Sequence, residues 1–157
     1  AAQVLVGSIV VGPYGRRPGG RWPGGGWFAT EVEVELGEHD VYRPDVAGWR
    51  RERLPELPAE AVVAVRPDWV CEILSPSNTR NDLVKKLRIY QRSGVPHYWI
   101  VDPMNEILTV HRWATEGYLQ VLAAERGERV RAEPFDAIEW PVGMLFGDDP
   151  DDADDAT

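Results

Sequence analysis

The chain of 157 residues has 43% hydrophobic residues, seven tryptophans and a formal charge of −9, the composition of one globular domain with a single core. No apolar run reaches the ~18–20 residues that a membrane-spanning helix needs, and the single cysteine, Cys71, excludes an internal disulfide and a thiolate zinc cage. A soluble, cytoplasmic protein is expected. Six aspartates fall in GDDPDDADDAT, residues 147–157; without them the remainder carries only about −3, so the acidity does not by itself exclude a nucleic-acid partner. One domain over residues 1–146 and a disordered acidic tail over 147–157 follow.

In chain order, AAQVLVGSIVVGPYG (1–15) is mildly apolar without a basic segment before it, which reads as a helix and not as a signal peptide. GPYGRRPGGRWPGGG (12–26) is a Gly/Pro/Arg-rich loop. WFATEVEVEL (27–36) alternates Val32, Val34 and Leu36 with Glu31, Glu33 and Glu35, the period of a half-buried strand, and VYRPDVAGW (41–49) supplies its hairpin partner. A polar connection over 50–58 leads to DWVCEIL (68–74), apolar on both parities as in a strand covered on both faces.

The capping types in Ser-Pro-Ser-Asn-Thr introduce a helix over 80–93, closed by Gly94. Leu83, Leu87 and Tyr90 form its apolar stripe; Lys86 falls about 60° from the stripe's centre and Lys85 about 160° away, so Lys86 leans toward the sheet and Lys85 toward solvent. HYWIVDP (97–103) is a buried strand, and EILTVHRW (106–113) with GYLQVLAA (117–124) forms a C-terminal β-hairpin. The fold class is α/β (α+β), a mixed sheet with at least one helix packed on it.

Glu72 interrupts the apolar strand, and Asp45 lies in the preceding strand segment after a proline. Two carboxylates brought side by side repel unless a cation lies between them. Oxygen ligands without a His or Cys cluster favour Mg²⁺ or Mn²⁺, with the Ile73 carbonyl as a further ligand. A lysine beside such a metal, here Lys86, can orient an attacking water and offset charge on a phosphoryl oxygen.

The stretch RPDWVCEILSPSNTRNDLVKKLRIYQRSGVPHYWIVDP (66–103) resembles the core of the Uma2 family, within the PD-(D/E)XK restriction-endonuclease-like superfamily, and VYRPDVAGWRRERLP (41–55) resembles its first acidic motif. The resemblance spans roughly residues 27–140. It implies a restriction-endonuclease-like core, a mixed sheet flanked by helices, and a catalytic set carried onto Asp45, Glu72 and a lysine. The superfamily signature would put that lysine at position 74, where this chain has Leu74; a lysine arriving from the following helix, Lys86, takes its place. The implied function is a metal-dependent endonuclease acting on DNA, with a homodimer expected so that two sites address two strands. The alternative is an inactive nuclease fold serving as a binding or regulatory module, and a third reading makes Asp45 and Glu72 merely salt-bridged.

Other candidates have simpler readings. Asp68 competes with Asp45 but lies some 13 Å from Glu72 along the same strand. Asp82 is a charge favoured at a helix start, and Glu33 belongs to a solvated strand face. His97 stands where Uma2-like sequences often carry Glu and reads as a hydrogen-bonded or exposed imidazole. Tyr90, Tyr98, Trp69 and Trp99 read as core aromatics rather than base-stacking residues, and Cys71 points away from Glu72. An N-terminal helix acid is not identifiable in residues 1–11.

Overall fold

A computed structural model describes residues 25–149 apart from 38, 39, 57, 78 and 79. The readings of residues 1–11, of the loop up to residue 24 and of the tail from residue 150 lie outside the described residues. In chain order the elements are β1 (Gly26–Thr30), β2 (Glu33–Glu35), β3 (Val41–Tyr42), β4 (Val46–Arg50), β5 (Val62–Val63), β6 (Trp69–Ile73), α1 (Arg80–Ser93), β7 (His97–Asp102), β8 (Ile107–Ala114), β9 (Gly117–Glu125), β10 (Arg129–Val130), β11 (Trp140–Pro141) and a short 3₁₀ helix, Val142–Phe146. The fold is mixed α/β, dominated by a six-stranded sheet of order β1-β4-β6-β7-β8-β9. Within this sheet only β6 and β7 are parallel, and α1 makes the crossover that parallel neighbours require. The C-terminal hairpin expected from the alternation is β8–β9, with a register shift between Val110 and His111. Among the described residues α1 is the only α-helix, and no helix is long and apolar enough to cross a membrane.

The first hairpin differs from the sequence reading in one respect: each arm is broken. Glu31 takes a positive φ of 52°, separating β1 from β2, and Arg43-Pro44-Asp45 separates β3 from β4. Pro44 has no N–H to give to a ladder, which favours a break at that point. The inner halves pair Phe28 with Gly48 inside the main sheet. The outer halves pair Val34 with Tyr42 and join β5 in a three-stranded sheet of order β3-β2-β5. Asp45 therefore occupies a corner between two sheets.

Both faces of the main sheet are buried. On one, Val46, Trp69, Cys71, Trp99, Val101 and Leu108 pack against Phe135, Trp140, Val142 and Leu145 from the C-terminal segment. On the other, Ala47, Trp49, Val70 and Tyr98 pack against Tyr90 and Leu87 of α1 and Val34 and Val63 of the small sheet. This double cover explains why DWVCEIL is apolar on both parities. Helix α1 ends as its glycine suggests. Gly94 has φ +73°, its N–H donates to Gln91 O and the Val95 N–H to Tyr90 O, the paired bonds of a Schellman motif whose apolar contact is Val95 with Tyr90.

Close packing leaves no slack beneath the aromatic cluster. A Cβ at Gly48 would lie 2.8 Å from Phe28 Cε1 and 3.2 Å from Trp69 Cε3, and the Phe28 and Trp69 rings already meet edge-on at 5.9 Å between centroids. Gly48→Ala is expected to cost about 1–3 kcal/mol through overpacking, lowering the melting temperature by about 3–10 °C. A thermal melt of the variant with unchanged Tm would contradict this account of the cluster.

Candidate functional site

Glu72 is the only glutamate among the described residues that is buried, at 2% exposure. It follows Cys71 along β6, so it projects onto the α1 side while Cys71 enters the opposite core. Two donors from α1 meet it. Lys86 Nζ donates to Glu72 Oε2 at 3.0 Å, and the Tyr90 hydroxyl donates to Oε1 at 2.5 Å. Lys86 and Tyr90 are four residues apart and so share one helix face. Lys85 is exposed, which agrees with the register read from the apolar stripe.

The register of β4 against β6 pairs Val46 with Cys71 and Ala47 with Val70. One step beyond the last pair, Asp45 comes opposite Glu72, and its Oδ2 accepts the Ile73 N–H at 2.7 Å. Asp45, Glu72, Ile73 and Lys86, separated by up to 41 positions in sequence, are thus gathered at the C-terminal end of β6. Burial raises the Glu72 pKa above the ordinary glutamate range; the Tyr90 hydrogen bond and the Lys86 charge pull it down, and the Asp45 charge pushes it up again. Burial, with Glu72 as neighbour, likewise holds the Tyr90 hydroxyl well above the usual phenol range, so it remains a donor.

The competing residues are occupied elsewhere. Asp68 accepts from the Arg50 N–H at 2.8 Å and Arg53 Nη1 at 2.6 Å, a structural ion pair at the other end of β6. Glu33 pairs with Arg43 at 3.2 Å, and Asp82 sits in the first turn of α1. His97 shares the opposite face of β7 with Trp99, where its Nε2 lies 3.1 Å from Glu133 Oε2 and Arg112 Nε donates to the same oxygen at 2.9 Å. Arg112 and His97 hold the Glu133 carboxyl at about 2, well below the ordinary value, while burial lowers the His97 pKa. This cluster belongs to the other core. Trp69, Trp99 and Tyr98 are core aromatics. Tyr90 is one too, but its hydroxyl contact with Glu72 escaped the reading of aromatic content alone; its spacing from Lys86 on the same face carries that signal.

Among the described residues no group of three or more His, Cys, Asp or Glu side chains gathers in metal-binding geometry. Two carboxylates are neighbours here, close enough for the Asp45 charge to act on Glu72, and their chemistry fits a hard divalent cation. Asp45 Oδ1 has no hydrogen-bond partner among the described residues, and each Glu72 oxygen has a second lone pair beyond the one used by its donor. Asp45 and Glu72 are the residues that could hold Mg²⁺ or Mn²⁺.

The fold is a mixed α/β one, with two acids at adjacent strand ends and a lysine supplied by the crossover helix. The family model described as "Uma2: Putative restriction endonuclease" matches residues 20–143, and the chain belongs to the Uma2 family. The solved structure of a putative nuclease belonging to DUF820 from Anabaena variabilis superposes with a TM-score of 0.67 at 22% identity, over 92% of this chain and 78% of that one; the likeness is one of fold. No curated protein matches the sequence significantly.

The raised Glu72 pKa sets a sign for stability against pH. A carboxyl whose folded pKa exceeds its unfolded value, about 4.3, binds more protons folded than unfolded between the two values, so its contribution falls as pH rises through that window. Urea midpoints of wild type and Glu72→Gln, followed from pH 4 to pH 7, should therefore show wild type losing stability relative to the variant as pH rises. A difference that stays flat, or that grows in favour of wild type, would show that Glu72 is not held above its ordinary value.

Proposed function

We propose that the chain is a metal-dependent endonuclease that hydrolyses DNA phosphodiester bonds, with Asp45, Glu72 and Lys86 as its catalytic set. The observation that carries this reading is the buried Glu72, set beside Asp45 at the end of β6 and contacted by Lys86 at 3.0 Å. Membership of a family described as a putative restriction endonuclease supports the substrate class. Asp45 and Glu72, with the Ile73 carbonyl, would hold Mg²⁺ or Mn²⁺. A bound divalent ion would supply charge neutralisation at the phosphate and a lowered pKa for water.

The rest of the work falls to the chain itself. The Lys86 side chain is about one-third exposed, and its Nζ donates to the buried carboxylate. Such a group can hold a water by hydrogen bonding for in-line attack on phosphorus and offset charge on a non-bridging oxygen. Asp45 is oriented by the Ile73 amide, and Glu72 by Tyr90, so neither carboxylate depends on solvent for its placement. A homodimer is the proposed acting unit, with β9, an outer strand of the main sheet, as a candidate pairing edge. Sedimentation showing only monomer at tens of micromolar would overturn it.

One observation favours the alternative, an inactive nuclease fold used for binding: no third acidic side chain joins Asp45 and Glu72 among the described residues. Plasmid nicking with Mg²⁺ or Mn²⁺, run beside a Mn²⁺ titration, separates the readings. On the nuclease reading Glu72→Ala loses both cleavage and metal affinity. Lys86→Ala loses cleavage by about 10²-fold or more while keeping much of the metal affinity. Metal binding that survives loss of both carboxylates overturns the nuclease reading; metal binding without nicking by wild type selects the inactive one.

A further inference from the structure

Among the described residues, most cations of this acidic protein are spoken for. Arg43, Arg53, Arg112, Arg126 and Arg129 each lie against a carboxylate, and Lys86 is held by Glu72. The exposed basic residues of α1 are different. Arg80, Lys85, Arg88 and Arg92 are all exposed, and among the described residues no carboxylate stands within ion-pairing distance of any of them.

Three of these form a row. At 100° per residue, Asn81, Lys85, Arg88 and Arg92 fall within an arc of about 60°, and all four are exposed. The stripe lies opposite Leu83 and Tyr90, which face the sheet, and it contains no acid. Lys85 to Arg92 spans about 10 Å at helical rise, the axial length over which one strand of a nucleic-acid duplex presents about three phosphates. A solvated helix face usually mixes both signs to gain i,i+4 pairs; this one repels itself, a cost that an external polyanion would turn into an attraction.

We infer that the outer face of α1, through Lys85, Arg88 and Arg92, is a docking surface for the phosphate backbone of nucleic acid. The inference rests on the nuclease reading for its choice of polyanion but not for its geometry. Each cation that neutralises a phosphate releases condensed counterion, so the signature is a salt dependence that counts the contacts, sequence-independent and separable from chemistry. Lys85 thereby has a role that its neighbour Lys86, turned inward, does not share.

The experiment measures binding of the full chain to a fluorescently labelled duplex of about 20 base pairs by anisotropy, with EDTA present so that cleavage does not intervene, across a series of salt concentrations. Wild type is compared with the triple variant Lys85→Gln, Arg88→Gln, Arg92→Gln, which keeps good helix formers, and with Arg43→Gln and Arg129→Gln as neutralisations of cations that already have partners. The triple variant should bind at least about 10-fold more weakly near 0.1 M salt, with a log–log slope shallower by about 2–3; the two controls should leave the slope close to that of wild type. Circular dichroism confirms that the variant is folded, and should it fail to fold, the single Arg88→Gln and Arg92→Gln variants carry the test, each reducing the slope by about 1. An unchanged slope in a folded variant overturns the surface, as does a wild type that does not bind duplex. Competition by polyglutamate as effective as by unlabelled DNA would assign the stripe to an acidic protein and overturn the nucleic-acid assignment. Stripe-dependent binding by a wild type that never nicks DNA leaves the surface standing and removes the nuclease reading; nicking with an unchanged slope does the reverse.

Discussion

A carboxylate inside a core is the constraint around which the rest of the molecule is arranged. Transfer of an ion from water to a protein interior costs several kcal/mol even after relaxation, and the cost is offset only by well-placed charge and hydrogen bonds. Glu72 meets both needs from a single helix: an ammonium on one oxygen and a hydroxyl on the other. That fixes the rotation of α1 on the sheet, because Lys86 and Tyr90 must both face β6. It also fixes the translation, since the Schellman motif at Gly94 closes the helix one turn after Tyr90 and tucks Val95 under that ring. The contrast with Tyr98 is instructive. Its ring lies 5.2 Å from that of Tyr90, yet its hydroxyl has no partner in the same core, so burial of a tyrosine does not by itself yield the contact; the helix register does.

The second constraint acts on the strand side. An uninterrupted hairpin through residues 27–49 would continue one ladder past Asp45, whereas the breaks at Glu31 and at Arg43-Pro44 divide it into two sheets. The Glu31 N–H reaches the Asp45 carbonyl at 3.1 Å, which keeps the corner hydrogen-bonded, and the Asp45 side chain is free to accept from Ile73 on the neighbouring strand. Local backbone geometry therefore brings the two acids to one place: a positive φ on one arm and a proline on the other open the ladder where the carboxylate is needed.

These features differ in how readily the sequence reveals them. The helix over residues 80–93, its glycine stop and the inward register of Lys86 are periodic and local, and periodicity places them without reference to the rest of the chain. The two-faced burial of β6 is legible for the same reason. The broken hairpin is not, because Glu31 belongs to a regular alternation and nothing in Val-Glu-Val-Glu announces a left-handed residue. The pairing of His97 with Glu133 and Arg112 joins positions up to 36 apart through a C-terminal segment whose short strands carry little pattern. The Tyr90 contact lies between: spacing places it beside Lys86, but only tertiary packing makes Glu72 its acceptor.

The energetics of the Glu72 cluster also bear on what it is for. Buried ion pairs are weak contributors to stability, and apolar residues of similar volume in their place are often neutral or stabilising by 1–4 kcal/mol. The surroundings of Glu72 are suited to such a substitution, since Val70, Tyr98 and Leu87 already form an apolar layer there. Asp45 adds to the cost, raising rather than relieving the Glu72 pKa. A fold optimised for stability alone would have no use for two acids at one strand end with a single lysine between the buried one and solvent. Local rules broken together at one place, in a sheet that obeys them elsewhere, are expected where a site serves binding or catalysis, and an oxygen-only donor set is the kind that suits a hard cation; both considerations support the proposed metal site.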